Sequence, residues 1–138
     1  MGSDEVIVID THVLVWADCN DRRLGRTTRA LIDRAWPSGK VAVPSIAFWE
    51  VAMLQAQGHL SLKTTASDWR EAVLAAGALE LPLDGNIALR AFDLAGLHGD
   101  PADRFIVATA LVHGAALITA DKRLLAWRHP LERHDART

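Results

Sequence analysis

Residues 100–121 read DPADRFIVATALVHGAALITAD, and this stretch decides the fold. Asp100 can accept the free N–H groups of a first helical turn, and Pro101 suits the first helical position, so the segment opens a helix. That helix runs to His113, where Gly114 closes it. Residues 116–119 then form a short apolar run of strand length, ending just before Asp121. The spacing therefore predicts a crossover helix feeding a buried strand.

Working outward, the same alternation recurs. The β-branched run over 6–9 reads as a buried strand that ends at Asp10, and 24–36 has helical spacing through Ala30, Leu31, Arg34 and Ala35. Residues 41–43 form a second strand; Ser45 is expected to cap a helix to Gln57, with Gly58 as its terminator. Thr65 and Asp68 form a weak capping box for a helix to about Ala76, ended by Gly77. A third strand over 79–83 and a helix over 87–97 lead into the opening segment. Strands alternating with helices define the expected fold class, α/β, with a parallel sheet flanked by helices.

Composition sets the frame. A chain of 138 residues, 50% apolar, suits a single domain over 1–138 that buries about 70% of its unfolded surface without staples. Its core is expected over about 6–127, followed by a short polar C-terminal tail. Residues Met1-Gly2-Ser3 read as a cloning remnant. There is no apolar run of membrane-spanning length and no signal-peptide pattern, and the single Cys19 excludes an internal disulfide or a cysteine-rich zinc site. These features predict a cytoplasmic protein with no membrane partner. A net charge of −2 excludes a strongly basic nucleic-acid binder but leaves room for a local basic face.

The acids carry the chemistry. Asp10, Glu50, Asp103 and Asp121 lie inside or at the ends of apolar runs and lack local basic partners. In a parallel α/β sheet, functional groups gather beyond the carboxyl ends of the strands. Asp10 and Asp121 fall at two such ends. Asp103 sits in the first turn of a helix starting at that edge, and Glu50 lies little more than a turn into another. Each acid also has a structural use: Asp100 and Asp103 as caps, Asp10 as a turn residue, Asp121 as the cap of a last short helix, Glu50 as the partner of a distant arginine. Their joint placement points to more. Four carboxylates about 6 Å apart repel by roughly 17 kcal/mol at an effective dielectric near 20, more than a domain's typical net stability. A bound cation relieves this, and all-oxygen ligation favours Mg²⁺ or Mn²⁺ over zinc.

The ordered motifs Asp10-Thr11-His12, Trp16, Ser45, Trp49-Glu50-Val51, Gly58-His59-Leu60, His98 to Arg104 and Leu117 to Asp121 resemble those of PIN-domain ribonucleases, and among them VapC-type toxins of toxin–antitoxin modules. The resemblance spans about 6–127. It implies a Mg²⁺- or Mn²⁺-dependent endoribonuclease that hydrolyses RNA through a metal-activated water, a homodimer, and inhibition by a cognate antitoxin. Carried over by position, the catalytic and metal-binding acids are Asp10, Glu50, Asp103 and Asp121, with Asp100 as an accessory and Thr119 as a hydrogen-bonding support. Ala47 and Leu54 depart from the pattern, since many relatives carry Ser and a basic residue there.

Two other functions fit parts of the pattern. Another acid-cluster phosphohydrolase, such as a haloacid-dehalogenase-like phosphatase, would use Asp10 as nucleophile, but the second acid usual two residues later is replaced by His12. A non-catalytic PIN-fold module for RNA or protein binding is the other. Arg22, Arg23, Arg26 and Arg29 can form a backbone-contacting strip or a solvated helix face. Arg104 can hold a phosphate or a carboxylate. Trp16 and Trp49 can stack a base or pack in a core or dimer. His12 and His98 can carry protons or serve structure; His129 and His134 fall in the tail with no expected role.

Overall fold

The computed structural model describes residues 5–138. The Met1-Gly2-Ser3 segment, expected to be a cloning remnant, lies outside them. Five parallel strands, β1 (Ile7–Ile9), β2 (Val41–Pro44), β3 (Leu79–Leu81), β4 (Ala116–Thr119) and β5 (Arg133–Asp135), form one sheet in the order β3-β2-β1-β4-β5. Between them run α1 (Thr11–Asp18), α2 (Arg26–Ala35), α3 (Ser45–Ala56), α4 (Ala66–Ala75), α5 (Gly85–Phe92), α6 (Pro101–Val112) and α7 (Lys122–Ala126).

Side chains alternate across the sheet and so define two cores. Ile7, Ile9, Val41, Val43 and Ile118 pack against α1 to α4, while Val8, Ala42 and Leu117 pack against α5 to α7. The central strand β1 is buried on both faces, which is why it reads as an uninterrupted β-branched run. No helix among the described residues is long and apolar enough to cross a membrane.

The opening segment folds as its sequence dictates. The Asp100 carboxylate accepts the Ala102 N–H at 3.1 Å and the Asp103 N–H at 3.4 Å, Pro101 takes the first helical position, and Gly114 leaves the helix at φ +60°. Thr65 Oγ1 accepts the Asp68 N–H at 3.0 Å, but the Asp68 carboxylate meets Thr64 instead, so only half of the expected capping box forms.

The structure departs from the sequence expectations at five points. Residues 11–18, left unassigned by periodicity, form α1, because Asp10 Oδ1 accepts the Val13 N–H at 3.1 Å and starts a helix that its β-branched residues disguise. Ser45 does not cap α3. Pro44 holds the cap position, and the Ser45 hydroxyl donates to Glu80 and the Leu81 carbonyl. Helix α5 stops at Phe92 rather than Leu97, and β3 stops at Leu81, just before Pro82. The polar tail is no appendage: residues 133–135 are the fifth strand, in register with β4 through Leu117–Arg133 and Thr119–Asp135.

Candidate active site

Four elements deliver acids to one edge of the sheet. Asp10 follows β1, Glu50 lies in the second turn of α3, Asp103 in the first turn of α6, and Asp121 follows β4. They line a cleft of about 350 Å³ together with Asp100, Thr11, His12, Trp16, Arg23, Arg123 and Arg137.

Each buried acid is held by a defined neighbour. Asp10 is 7% exposed; its Oδ1 accepts the Val13 N–H and its Oδ2 accepts from the Thr119 hydroxyl. The same Thr119 oxygen accepts the Asp121 N–H at 3.1 Å, so one hydroxyl ties the ends of β1 and β4 together. Glu50 Oε1 accepts from the Thr11 hydroxyl. Asp121 caps α7 through the Arg123 N–H at 2.8 Å, so it fills the capping role and lines the cleft at once.

Electrostatics separates the acids. Burial raises the Asp10 carboxyl above the ordinary carboxylate range, against the opposing hydrogen bonds from Thr119 and Val13. Burial also raises Glu50, with Asp100 adding to the effect and the Thr11 bond opposing it. Burial first, then the charges of Asp100, Asp121, Glu50 and Asp10, push Asp103 up to about 7. For Asp121, burial works against ionisation, but the hydrogen bonds and charge of Arg123 outweigh it and keep the carboxyl below its ordinary value.

The donor set suits a divalent cation. Ligand atoms of His98, Asp103 and Asp121 lie within 4.8 Å of one another. His98 Nε2 is buried, makes no hydrogen bond, and stands 3.4 Å from Asp103 Oδ2. An orphaned polar atom beside carboxylates that resist simultaneous ionisation is the environment an ion stabilises. Among the described residues, the arginine paired with these acids is Arg123, 3.3 Å from Asp121 and 3.7 Å from Asp103; at 62% exposure it is well screened.

Other expectations resolve differently. Among the described residues Arg104 pairs with no carboxylate: its guanidinium donates to the carbonyls of Ala91, Phe92, Leu94, Leu97 and His98, pinning the α5–α6 loop that carries His98 and Asp100. Trp16 is 4% exposed, lines the cleft and lies against the guanidinium groups of Arg23 and Arg137, while Trp49 is 57% exposed. Of the four arginines over 22–29, only Arg23 lines the cleft. His129 stacks on Trp127 and His134 bonds Thr28, both as structural contacts. The sequence motifs include Thr11 without a role and leave out Arg123 and Arg137. The place of Thr11 directly after Asp10 was an available signal; Arg137 offered none without β5.

The fold and this acidic edge define a class. The PIN domain family model matches residues 7–128, and the chain belongs to that family. Ribonuclease VapC22 of Mycobacterium tuberculosis is 34% identical over 125 residues, covering 90% of this chain and 93% of that protein. Among solved structures, the DNA-bound VapBC of Salmonella typhimurium has a similar fold (TM-score 0.66, 18% identity, 95% of this chain and 98% of that one). A toxin–antitoxin complex from Klebsiella pneumoniae is similar too (TM-score 0.60, 23% identity, 87% and 90% covered).

Proposed function

We propose that this chain is a divalent-metal-dependent endoribonuclease and the toxin of a toxin–antitoxin pair. The observation that carries the reading is the convergence of Asp10, Glu50, Asp103 and Asp121 on one cleft, with Asp103 pushed up to about 7 by burial and its acidic neighbours. The 34% identity to a ribonuclease over nearly the whole chain supports it.

Asp10, Asp103, Asp121 and Glu50 would hold Mg²⁺ or Mn²⁺, with Asp100 as an accessory and His98 at the edge. When bound, such an ion neutralises the acids, eases deprotonation of water and stabilises charge on a phosphate. The chain's own residues supply position. Thr119 fixes Asp10 against β4, Thr11 fixes Glu50 against α1, and Arg104 anchors the loop before Asp103. The reaction is hydrolysis: water adds to phosphorus, one ribose–oxygen bond to phosphorus breaks, and the departing oxygen gains a proton.

The phosphatase alternative is disfavoured by the residue two positions after Asp10, which is His12 rather than a second acid.

The partners proposed are an antitoxin, which would cover the cleft, and a second copy of the chain, in the cytoplasm. Exposed Trp49, Leu89 and Phe92 provide apolar surface for such contacts. The names of the structural neighbours support the antitoxin.

The test is cleavage of RNA by purified, partner-free protein, with analysis of the product ends. Water as nucleophile predicts cleavage that survives a 2′-deoxy substitution at the cut site and yields no 2′,3′-cyclic phosphate. A cyclic product would assign the attack to the 2′-hydroxyl and overturn the mechanism.

A further inference from the structure

The cleft has a second wall, and the C-terminal strand builds it. Because Thr119 of β4 is in register with Asp135 of β5, Asp121 and Arg137 each lie two residues beyond a matched pair and reach the same rim. The chain there is tightly held. Ala136 N–H donates to the Thr119 carbonyl at 2.9 Å, Gly25 N–H to the Ala136 carbonyl at 2.8 Å, and Thr27 N–H to the Thr138 carbonyl at 2.9 Å. A Cβ on Gly25 would come within 2.1 Å of the Thr138 carbonyl carbon, so the C-terminal backbone is seated where only glycine lets it approach.

Arg137 is fixed at its tip as well. Its Nη1 donates to the carbonyl of Ala120, the residue before Asp121, and its guanidinium lies 5.4 Å from the Trp16 ring centroid. Three arginines line the cleft. Arg23 is paired with Asp21 at 2.7 Å and Arg123 with Asp121 at 3.3 Å, whereas among the described residues no carboxylate pairs with the Arg137 guanidinium, and Asp135 accepts only the Arg137 backbone N–H, at 2.9 Å. A guanidinium offers five N–H donors, and Arg137 uses one of them on the side-chain side. A prearranged guanidinium without a carboxylate partner of its own fits a phosphate oxyanion that arrives with the substrate.

We propose that Arg137 binds a phosphate of the RNA strand next to the one hydrolysed at the acids, and so sets the strand's register in the cleft. This rests on the ribonuclease reading above. It makes Arg137 a substrate-binding residue, and Trp16 with the Ala120 carbonyl the groups that position it.

The experiment measures kcat and KM for a short RNA oligonucleotide with wild type, Arg137→Gln and Arg137→Lys over a range of salt, with the folded state checked by circular dichroism. Arg137→Gln is expected to raise KM roughly tenfold with little change in kcat. The dependence of log(kcat/KM) on log[salt] should become shallower by about 0.7, the value for one phosphate contact on a single strand. Arg137→Lys should restore the slope and part of the affinity. On wild type, a neutral methylphosphonate at one flanking position should raise KM by the same factor, and Arg137→Gln should be indifferent to it. Unchanged KM and slope in Arg137→Gln, or a loss confined to kcat, overturns the proposal. Should that variant not fold, the methylphosphonate scan on wild type and Arg137→Lys decides, and absence of any sensitive flanking phosphate overturns it. Wild type that cuts no RNA defeats the ribonuclease reading instead; equilibrium binding of the same oligonucleotides then decides the role of Arg137.

Discussion

Asp103→Asn should stabilise the protein in the absence of divalent metal, and only above acidic pH. Burial, followed by the charges of Asp100, Asp121, Glu50 and Asp10, raises the Asp103 carboxyl from 3.8 to about 7. The folded state therefore binds a proton that the unfolded chain has released, and stability falls as pH rises from about 4 through 7. That rise corresponds to about 4 kcal/mol for a group whose side chain is 17% exposed. Arg123, 3.7 Å away and mostly exposed, recovers only part of it, so about 4 kcal/mol is an upper bound. Asparagine removes the charge at every pH. In urea denaturation with EDTA, the variant should match wild type near pH 4 and exceed it by up to about 4 kcal/mol at pH 8. Adding Mg²⁺ should stabilise wild type at pH 8 far more than the variant. Equal stability at both pH values, or a variant less stable at pH 8, would refute the argument that these acids share a strained, ion-seeking site.

Asp10→Asn and Asp121→Asn should each lower RNA cleavage by at least about a hundredfold while circular dichroism remains that of the folded chain, because each removes a proposed metal ligand without removing core packing. Near wild-type turnover in either variant would take that acid out of the site. Arg104→Gln should cost about 3 kcal/mol or more in urea denaturation, since it leaves several of five carbonyls unsatisfied in the α5–α6 loop; a change under about 0.5 kcal/mol would mean that the loop holds its shape without it.

Much of this architecture was legible because its signals are local. Asp100 with Pro101 and Gly114 bracket α6 whatever the rest of the chain does, and the uninterrupted apolar runs of β1, β2 and β4 state that both faces of the sheet are covered. The acids were legible for the same reason, since charges isolated in apolar runs stand out in one dimension. What escaped depends on partners far along the chain. Helix α1 hides behind β-branched residues until Asp10 is seen to cap it. Strand β5 is polar, only partly buried, and exists because β4 offers it an edge. The role of Arg104 as a tether for five carbonyls, and the arrival of Arg137 beside Asp121, follow from loop and sheet geometry that no spacing rule encodes.

The central claim is that the acidic cleft needs a divalent cation to cut RNA. Cleavage of a short RNA should be measured with protein stripped by EDTA, then after return of Mg²⁺ or Mn²⁺, with Asp121→Asn alongside. Chelation should reduce wild type to the level of the variant, and either ion should restore wild type alone. Full cleavage by the wild-type protein in excess EDTA would contradict the account.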